Sequence, residues 1–167
     1  MAIAARIMPV SGADSLELKI PPVAVVLVAA GLMLLMRWLT STLSLSLDLD
    51  LRMWAALPVL LAGVAIAVAG VVQFRRAHTT VNPMTPERSS TLVANGIYRY
   101  TRNPMYVGML LSLLAFAIVL ANPASLLILP AFVVYMNRFQ IMPEERELAR
   151  RFGAEFQAFT ARVRRWL

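Results

Sequence analysis

Four long apolar blocks separated by polar segments dominate this chain. They run over residues 21–39, 54–74, 105–121 and 124–141. A helix needs about 20 apolar residues to cross hydrocarbon, so the pattern predicts an all-α polytopic membrane protein with about four transmembrane helices. The last two blocks reach that length if their helices continue past the hydrocarbon edge. Pro21-Pro22 opens the first block, where a missing N–H costs nothing in the first helical turn. Arg37 and Trp38 near its end suit a membrane interface. Leu43, Leu45, Leu47, Leu49 and Leu51 then alternate with Ser or Asp. Such alternation is a strand signal, but between two spans an irregular or interfacial connector is expected. In the second block, Gly63, Ala67 and Gly70 share one helical face, which lets another helix approach closely. Asn122-Pro123 is a turn signal between the last two blocks. A connection that short makes them an antiparallel hairpin.

Beyond residue 141 the pattern changes to an amphipathic helix. Pro143 fits a first helical position, and Glu144, Glu145 and Glu147 follow in the first turn, where the helix dipole favours anions. Leu148, Phe152, Phe156, Phe159 and Val163 recur every three or four residues and form one apolar face. Five arginines from Arg150 to Arg165 make a basic face or end. Such a cytoplasmic helix suits either an anionic membrane surface or a return over the hairpin.

Composition agrees with the block pattern. The chain is 59% hydrophobic and 15% charged, against about 45–50% and about 25% for soluble domains. Its 167 residues fit a single membrane domain, with an N-terminal two-helix part (1–74) and a core (75–167). There is no cysteine and one histidine, His78. Disulfides, zinc–thiolate sites and cysteine nucleophiles are excluded, and no metal site is expected. The net charge of +7 reads as the positive-inside bias of membrane proteins and not as nucleic-acid binding, because no such module is visible. Arginines concentrate in 75–104 and after 141, while the third–fourth turn carries no charge. Four spans with both termini cytoplasmic satisfy that distribution, in a bacterial inner membrane. Residues 1–10 do not make a secretory signal, because Asp14, Glu17 and Lys19 precede any long apolar run. The first block is therefore expected to be a retained helix.

Two polar segments flank the hairpin on one membrane side. The first is Gly96-Ile-Tyr98-Arg99-Tyr100-Thr101-Arg102-Asn103-Pro104-Met105-Tyr106-Val107-Gly108. Asn103 can cap the third helix and Pro104 can open it, with Tyr106 as an interfacial anchor. The second is Pro143-Glu144-Glu145-Arg146-Glu147-Leu148. Its carboxylates either complement the dipole and pair with Arg146 or Arg138, or bind a cationic or hydroxyl-rich cofactor. Polar groups at a membrane boundary are costly unless solvated, paired or functional.

The two segments resemble those of the isoprenylcysteine carboxyl methyltransferase family and its relatives, the phospholipid N-methyltransferases. The family pattern is approximately Gly-x-Tyr-x-x-x-Arg-His-Pro-x-Tyr-x-Gly, then Glu-Glu-x-x-Leu-x-x-x-Phe-Gly-x-x-Tyr after a helical hairpin. The resemblance covers roughly 75–167, and departs from the pattern at Asn103 for histidine and Phe156 for tyrosine. It implies an integral-membrane enzyme that uses S-adenosylmethionine without a Rossmann domain. Tyr98, Arg102, Asn103, Pro104, Tyr106 and Gly108 would help form the cofactor pocket, with Glu144 and Glu145 at its other side. Arg138 would orient an anionic acceptor, or else anchor the fourth span at the interface. The expected reaction is methyl transfer to an amphiphilic acceptor reached from the lipid bilayer, first a carboxylate, then an amine or thiol. NADPH-dependent sterol reductases carry a similar motif, but their usual Asn before Tyr and Asp after Gly stand here as Met105 and Met109. A membrane scaffold is the non-enzymatic alternative, supported by the small-residue face of the second block.

Overall fold

The computed structural model describes residues 17–77 and 91–167. His78 lies outside the described residues. Five α-helical segments follow one another: α1 (Pro22–Leu39), α2 (Leu49–Arg76), α3 (Pro104–Leu120), α4 (Ile128–Met136) and α5 (Met142–Arg162). No strand occurs among the described residues. The alternating connector after α1 forms a 3₁₀ turn at Ser41–Leu43 and then irregular backbone. It lacks a partner strand, so its period-two pattern leaves leucines at a membrane edge instead of in a sheet.

The second block extends further than its hydropathy indicates, from Leu49 to Arg76. Asp48 caps it by accepting from the Asp50 amide at 3.0 Å. α1, α2 and the continuous run Pro123–Arg162 are long and apolar enough to cross a membrane. α3 has 17 residues and spans about 26 Å at 1.5 Å per residue, just short of a 30 Å hydrocarbon core. Trp38 at the end of α1 and Trp54 near the start of α2 are both largely exposed. They mark one membrane interface, as an aromatic belt does.

α2 and α3 make the most extensive helix contact. A Cβ on Gly63 would lie 2.8 Å from the Gly108 carbonyl oxygen and 2.9 Å from Leu111 Cβ. A Cβ on Gly108 would lie 2.7 Å from Ala67 Cβ. The small-residue face therefore does what its spacing predicts: it brings two backbones together. Where lipid is as apolar as the side chains, such close packing supplies much of the association.

The α3–α4 hairpin closes through Ala121, which takes a left-handed conformation (φ 48°), and Asn122. The Asn122 side chain accepts from the Ser125 amide and donates to the Thr40 carbonyl oxygen at 2.9 Å. Ser125 Oγ donates to the Met33 carbonyl oxygen at 3.0 Å. One turn is thus tied to both α1 and its connector. A core of Met33, Leu113, Phe132, Met136 and Ile141 fills the space between α1, α3 and α4.

α4 does not stop at the membrane edge. A π-helical turn, Asn137–Ile141, carries it directly into α5, so the fourth block and the amphipathic tail are one rod. Gly153 interrupts that rod with φ 49° and ψ −120°, a conformation that an L side chain rarely adopts. After the kink α5 turns back over the connector: Phe156, Phe159 and Val163 pack with Val93 and Tyr98. The tail does fold back onto the protein, as one of the two expectations had it, but over the connector and the end of α2 and not over the hairpin itself.

Candidate functional site

The two polar segments meet at the ends of α3 and α4. A 3₁₀ turn, Gly96–Arg99, places Tyr98 inward, with Phe74 of α2 against its ring edge at 5.3 Å. Thr101 to Asn103 then lead into α3, whose first turn presents Tyr106. From the other side the first turn of α5 presents Glu144 and Glu145. Between them lies a cavity of about 60 Å³. Its polar lining comes from Tyr98, Arg102, Asn103, Tyr106, Glu144 and Glu145. Phe74, Val93, Ile141, Leu148, Phe156 and Phe159 form its apolar wall.

The two carboxylates are held differently. Glu145 is engaged by two guanidinium groups. Arg165 reaches both of its oxygens, at 3.2 and 2.6 Å, and Arg102 lies 3.3 Å from Oε1. Glu144 accepts a hydrogen bond from the Tyr106 hydroxyl at 3.3 Å and has no cationic partner among the described residues. It lies beyond the apolar 124–141 block. Loss of water around it raises its pKa to about 7. The Tyr106 hydrogen bond opposes that shift, and neighbouring Glu145 adds to it. Burial also raises the Tyr98 hydroxyl, with a further contribution from Glu144. Burial lowers the Arg102 guanidinium, against the pull of Glu145.

Two donors at the cavity are unsatisfied. The Tyr98 hydroxyl and Arg102 Nε are buried with no hydrogen-bond partner. Most buried polar atoms in folded proteins have one, so a pair of orphans on one cavity gives it donors able to meet a polar group.

Three of the expected residues sit elsewhere. Pro104 lies against Gly70 in the α2–α3 seam, and Gly108 lies against Gly63 and Ala67. Neither lines the cavity; both set how closely α2 approaches the site. Arg138 is on the π-helical turn and pairs with Glu17, which also pairs with Arg146. Asn103 occupies the N-cap position of α3 but makes no side-chain cap. Its amide instead donates to the Arg165 carbonyl oxygen at 2.9 Å.

Sequence reasoning missed the role of the segment 164–166. Thr101 Oγ1 donates to the Arg165 carbonyl oxygen at 3.3 Å, and the Arg102 amide donates to the Arg164 carbonyl oxygen at 3.0 Å. Trp166 Nε1 donates to Asn137 Oδ1 at 3.0 Å. The only trace in the sequence was a cluster of arginines, which reads equally well as a solvated basic end.

A second, apolar groove runs between α1 and α4. Val28, Leu32, Phe132 and Tyr135 line it, with Ile20 at one end. Gln140 on the π-helical turn donates to the Ile20 carbonyl oxygen at 2.7 Å.

Comparison with known proteins agrees with this geometry. The family model described as phospholipid methyltransferase matches residues 51–155. An uncharacterized protein of Haemophilus influenzae is 41% identical over 63 residues, 38% of this chain and all of that protein. A probable protein-S-isoprenylcysteine O-methyltransferase of Oryza sativa subsp. indica is 30% identical over 113 residues, 66% of this chain and 58% of the relative. Protein-S-isoprenylcysteine O-methyltransferase A of Arabidopsis thaliana is 30% identical over 108 residues, 63% of this chain and 53% of the relative. The chain therefore spans a little over half the length of these plant relatives. No solved structure matches it. The family match begins at the start of α2 and ends within α5, so it takes in the glycine seam, the hairpin and both polar segments; the chain belongs to the phospholipid methyltransferase family.

Proposed function

We propose that this protein transfers a methyl group from S-adenosylmethionine to a membrane-associated amphiphilic acceptor, a carboxylate before an amine or thiol. The observation that carries this reading is the cavity shared by two sequence-distant segments, with two unsatisfied donors and a carboxylate without a cation. The cofactor offers an ammonium, a carboxylate and ribose hydroxyls, and this lining matches them. Glu144 is suited to the ammonium. The Tyr98 hydroxyl and Arg102 Nε are donors for the cofactor's oxygens. The aromatic wall excludes water, which strengthens each of these contacts. A volume of about 60 Å³ holds only a few waters, so the cavity must widen to admit a whole cofactor.

When bound, the cofactor supplies a sulfonium methyl: the acceptor atom bonds to its carbon as the carbon–sulfur bond breaks, and that electron pair stays on sulfur. Such a displacement needs positioning more than acid–base machinery. The groove between α1 and α4 can take an apolar tail from the bilayer. Arg138 follows Tyr135 of that groove by three residues and already pairs with Glu17, so an acceptor carboxylate would bind it by taking that glutamate's place. The plant relatives named for isoprenylcysteine O-methylation make a carboxylate the first acceptor to test.

Thermal-shift measurement on detergent-purified protein tests the cofactor. S-adenosylhomocysteine should raise the melting temperature and NADPH should not. Ligand at about 100 times its Kd stabilises the native state by roughly 2.7 kcal/mol. A shift with NADPH alone would favour a reductase, and no shift with either would favour a scaffold.

A further inference from the structure

Glu145 lies in the second polar segment, yet its charge is already answered. Arg165 grips both oxygens in two-pronged fashion, and Arg102 approaches one of them. The backbone that carries Arg165 is separately anchored. Asn103 and Thr101 hold its carbonyl oxygen, and the Arg102 amide holds that of Arg164. One short segment thus crosses Thr101–Asn103, reaches over to α5, and ends with Trp166 on Asn137.

We infer that Arg165 is a positioning residue of the cofactor site: it fixes Glu145, and Glu145 in turn holds Arg102 with its Nε turned to the cavity lining. The inference rests on the methyl-transfer reading above. A carboxylate has room for about four hydrogen bonds. Arg165 occupies both oxygens of Glu145 and shares Oε1 with Arg102, so Glu145 cannot swing toward an incoming ammonium. Arg102 is thereby left with one buried donor free, and Glu144 remains the carboxylate open to a cation. The planar fork of arginine is required, because lysine is a single point charge that cannot bridge two oxygens.

The side chain can be removed without unseating the segment, because its other anchors use backbone carbonyls and the Trp166 ring. Arg165→Gln should therefore fold, and its melting temperature without ligand reports whether it does. Calorimetry with S-adenosylhomocysteine then compares the parent, Arg165→Gln, Glu145→Gln and the double variant. Each single change should weaken binding roughly tenfold, the scale of one lost charge-assisted hydrogen bond. The double variant should be no weaker than the worse single, because both changes break one contact. Arg165→Lys should recover only part of the loss. A purely structural role would not produce that coupling at unchanged melting temperature. Parent-like affinity in folded Arg165→Gln would overturn the inference and leave the cofactor reading intact. Losses that simply add would also overturn it, because Arg165 would then act independently of Glu145. No binding by the parent would overturn the cofactor reading, and the inference with it.

Discussion

Glu144 concentrates the chemistry of the site in one side chain. Its pKa is raised to about 7 in the folded protein, above the usual glutamate value. Between the two values the folded state binds more protons than the unfolded state, so stability falls as pH rises from about 4.5 to about 7. The full change is at most roughly 3–4 kcal/mol, about 2.5 pKa units at about 1.4 kcal/mol each. Denaturant titrations across that range should show the decline, and Glu144→Gln should flatten it. A cationic ligand reverses the preference by favouring the carboxylate. Binding of S-adenosylhomocysteine should therefore release a proton below pH 7, by roughly half an equivalent near the pKa. Calorimetry in two buffers of different ionisation enthalpy measures that release. Glu144→Gln should abolish it and weaken binding by roughly 10- to 100-fold. A pH-independent affinity in the parent would remove Glu144 from the cofactor contact. These roles were only partly legible in the sequence. Adjacent Glu144 and Glu145 look equivalent as letters, and what separates them is Arg165, which comes from 20 residues further on.

The α2–α3 seam is where a change at one residue would cost a whole element. Gly108→Val would drive a branched side chain into Ala67 and the Gly63 backbone. Overpacking typically costs about 1–3 kcal/mol, and here the obstacle is partly backbone, so the upper end or more is expected. A melting-temperature drop of several degrees in detergent, with a smaller drop for Gly108→Ala, checks the argument. Asn122→Ala should also destabilise, by about 1–3 kcal/mol, because it strands the Thr40 carbonyl oxygen and removes one of the two acceptors of the Ser125 amide. Element existence was readable because apolar blocks and small-residue spacing are local signals. Helix ends were less so: α2 begins five residues before its hydropathy block, where Asp48 supplies the cap. The Asn103 cap failed for a comparable reason. A tertiary acceptor, the Arg165 carbonyl oxygen, draws the amide away from its own helix. The π-helical turn has no pattern of its own and was not legible at all.

At the scale of the molecule, the described residues put Trp38 and Trp54 at one edge and the cavity residues at the other. We expect the cavity edge to face the cytoplasm, because the arginine-rich segments lie there. The parent has no cysteine, so single-cysteine variants test this cleanly. Positions 95 and 155 should label from one side of sealed vesicles and position 45 from the other. Labelling of 95 and 155 from opposite sides would overturn the arrangement. The broad architecture was legible because four hydrophobic blocks and their charge asymmetry are one-dimensional signals. The site was legible as two segments but not as a closed constellation, since Arg165 on Asn103 and Glu17 on Arg138 join residues 62 and 121 positions apart.

The uninterrupted passage from α4 through the π-helical turn into α5 makes the hairpin a ruler. Arg138 and Glu144 stand on the same stiff shaft, so their separation along the membrane normal is set by the helix and not by the lipid around it. On the methyl-transfer proposal, acceptors would then be selected by depth: a reactive group would be reached only if its own tail floats it to the height at which the shaft carries the site. Bilayers of unequal thickness would rank the same set of amphiphiles differently, without any change in the residues that touch them.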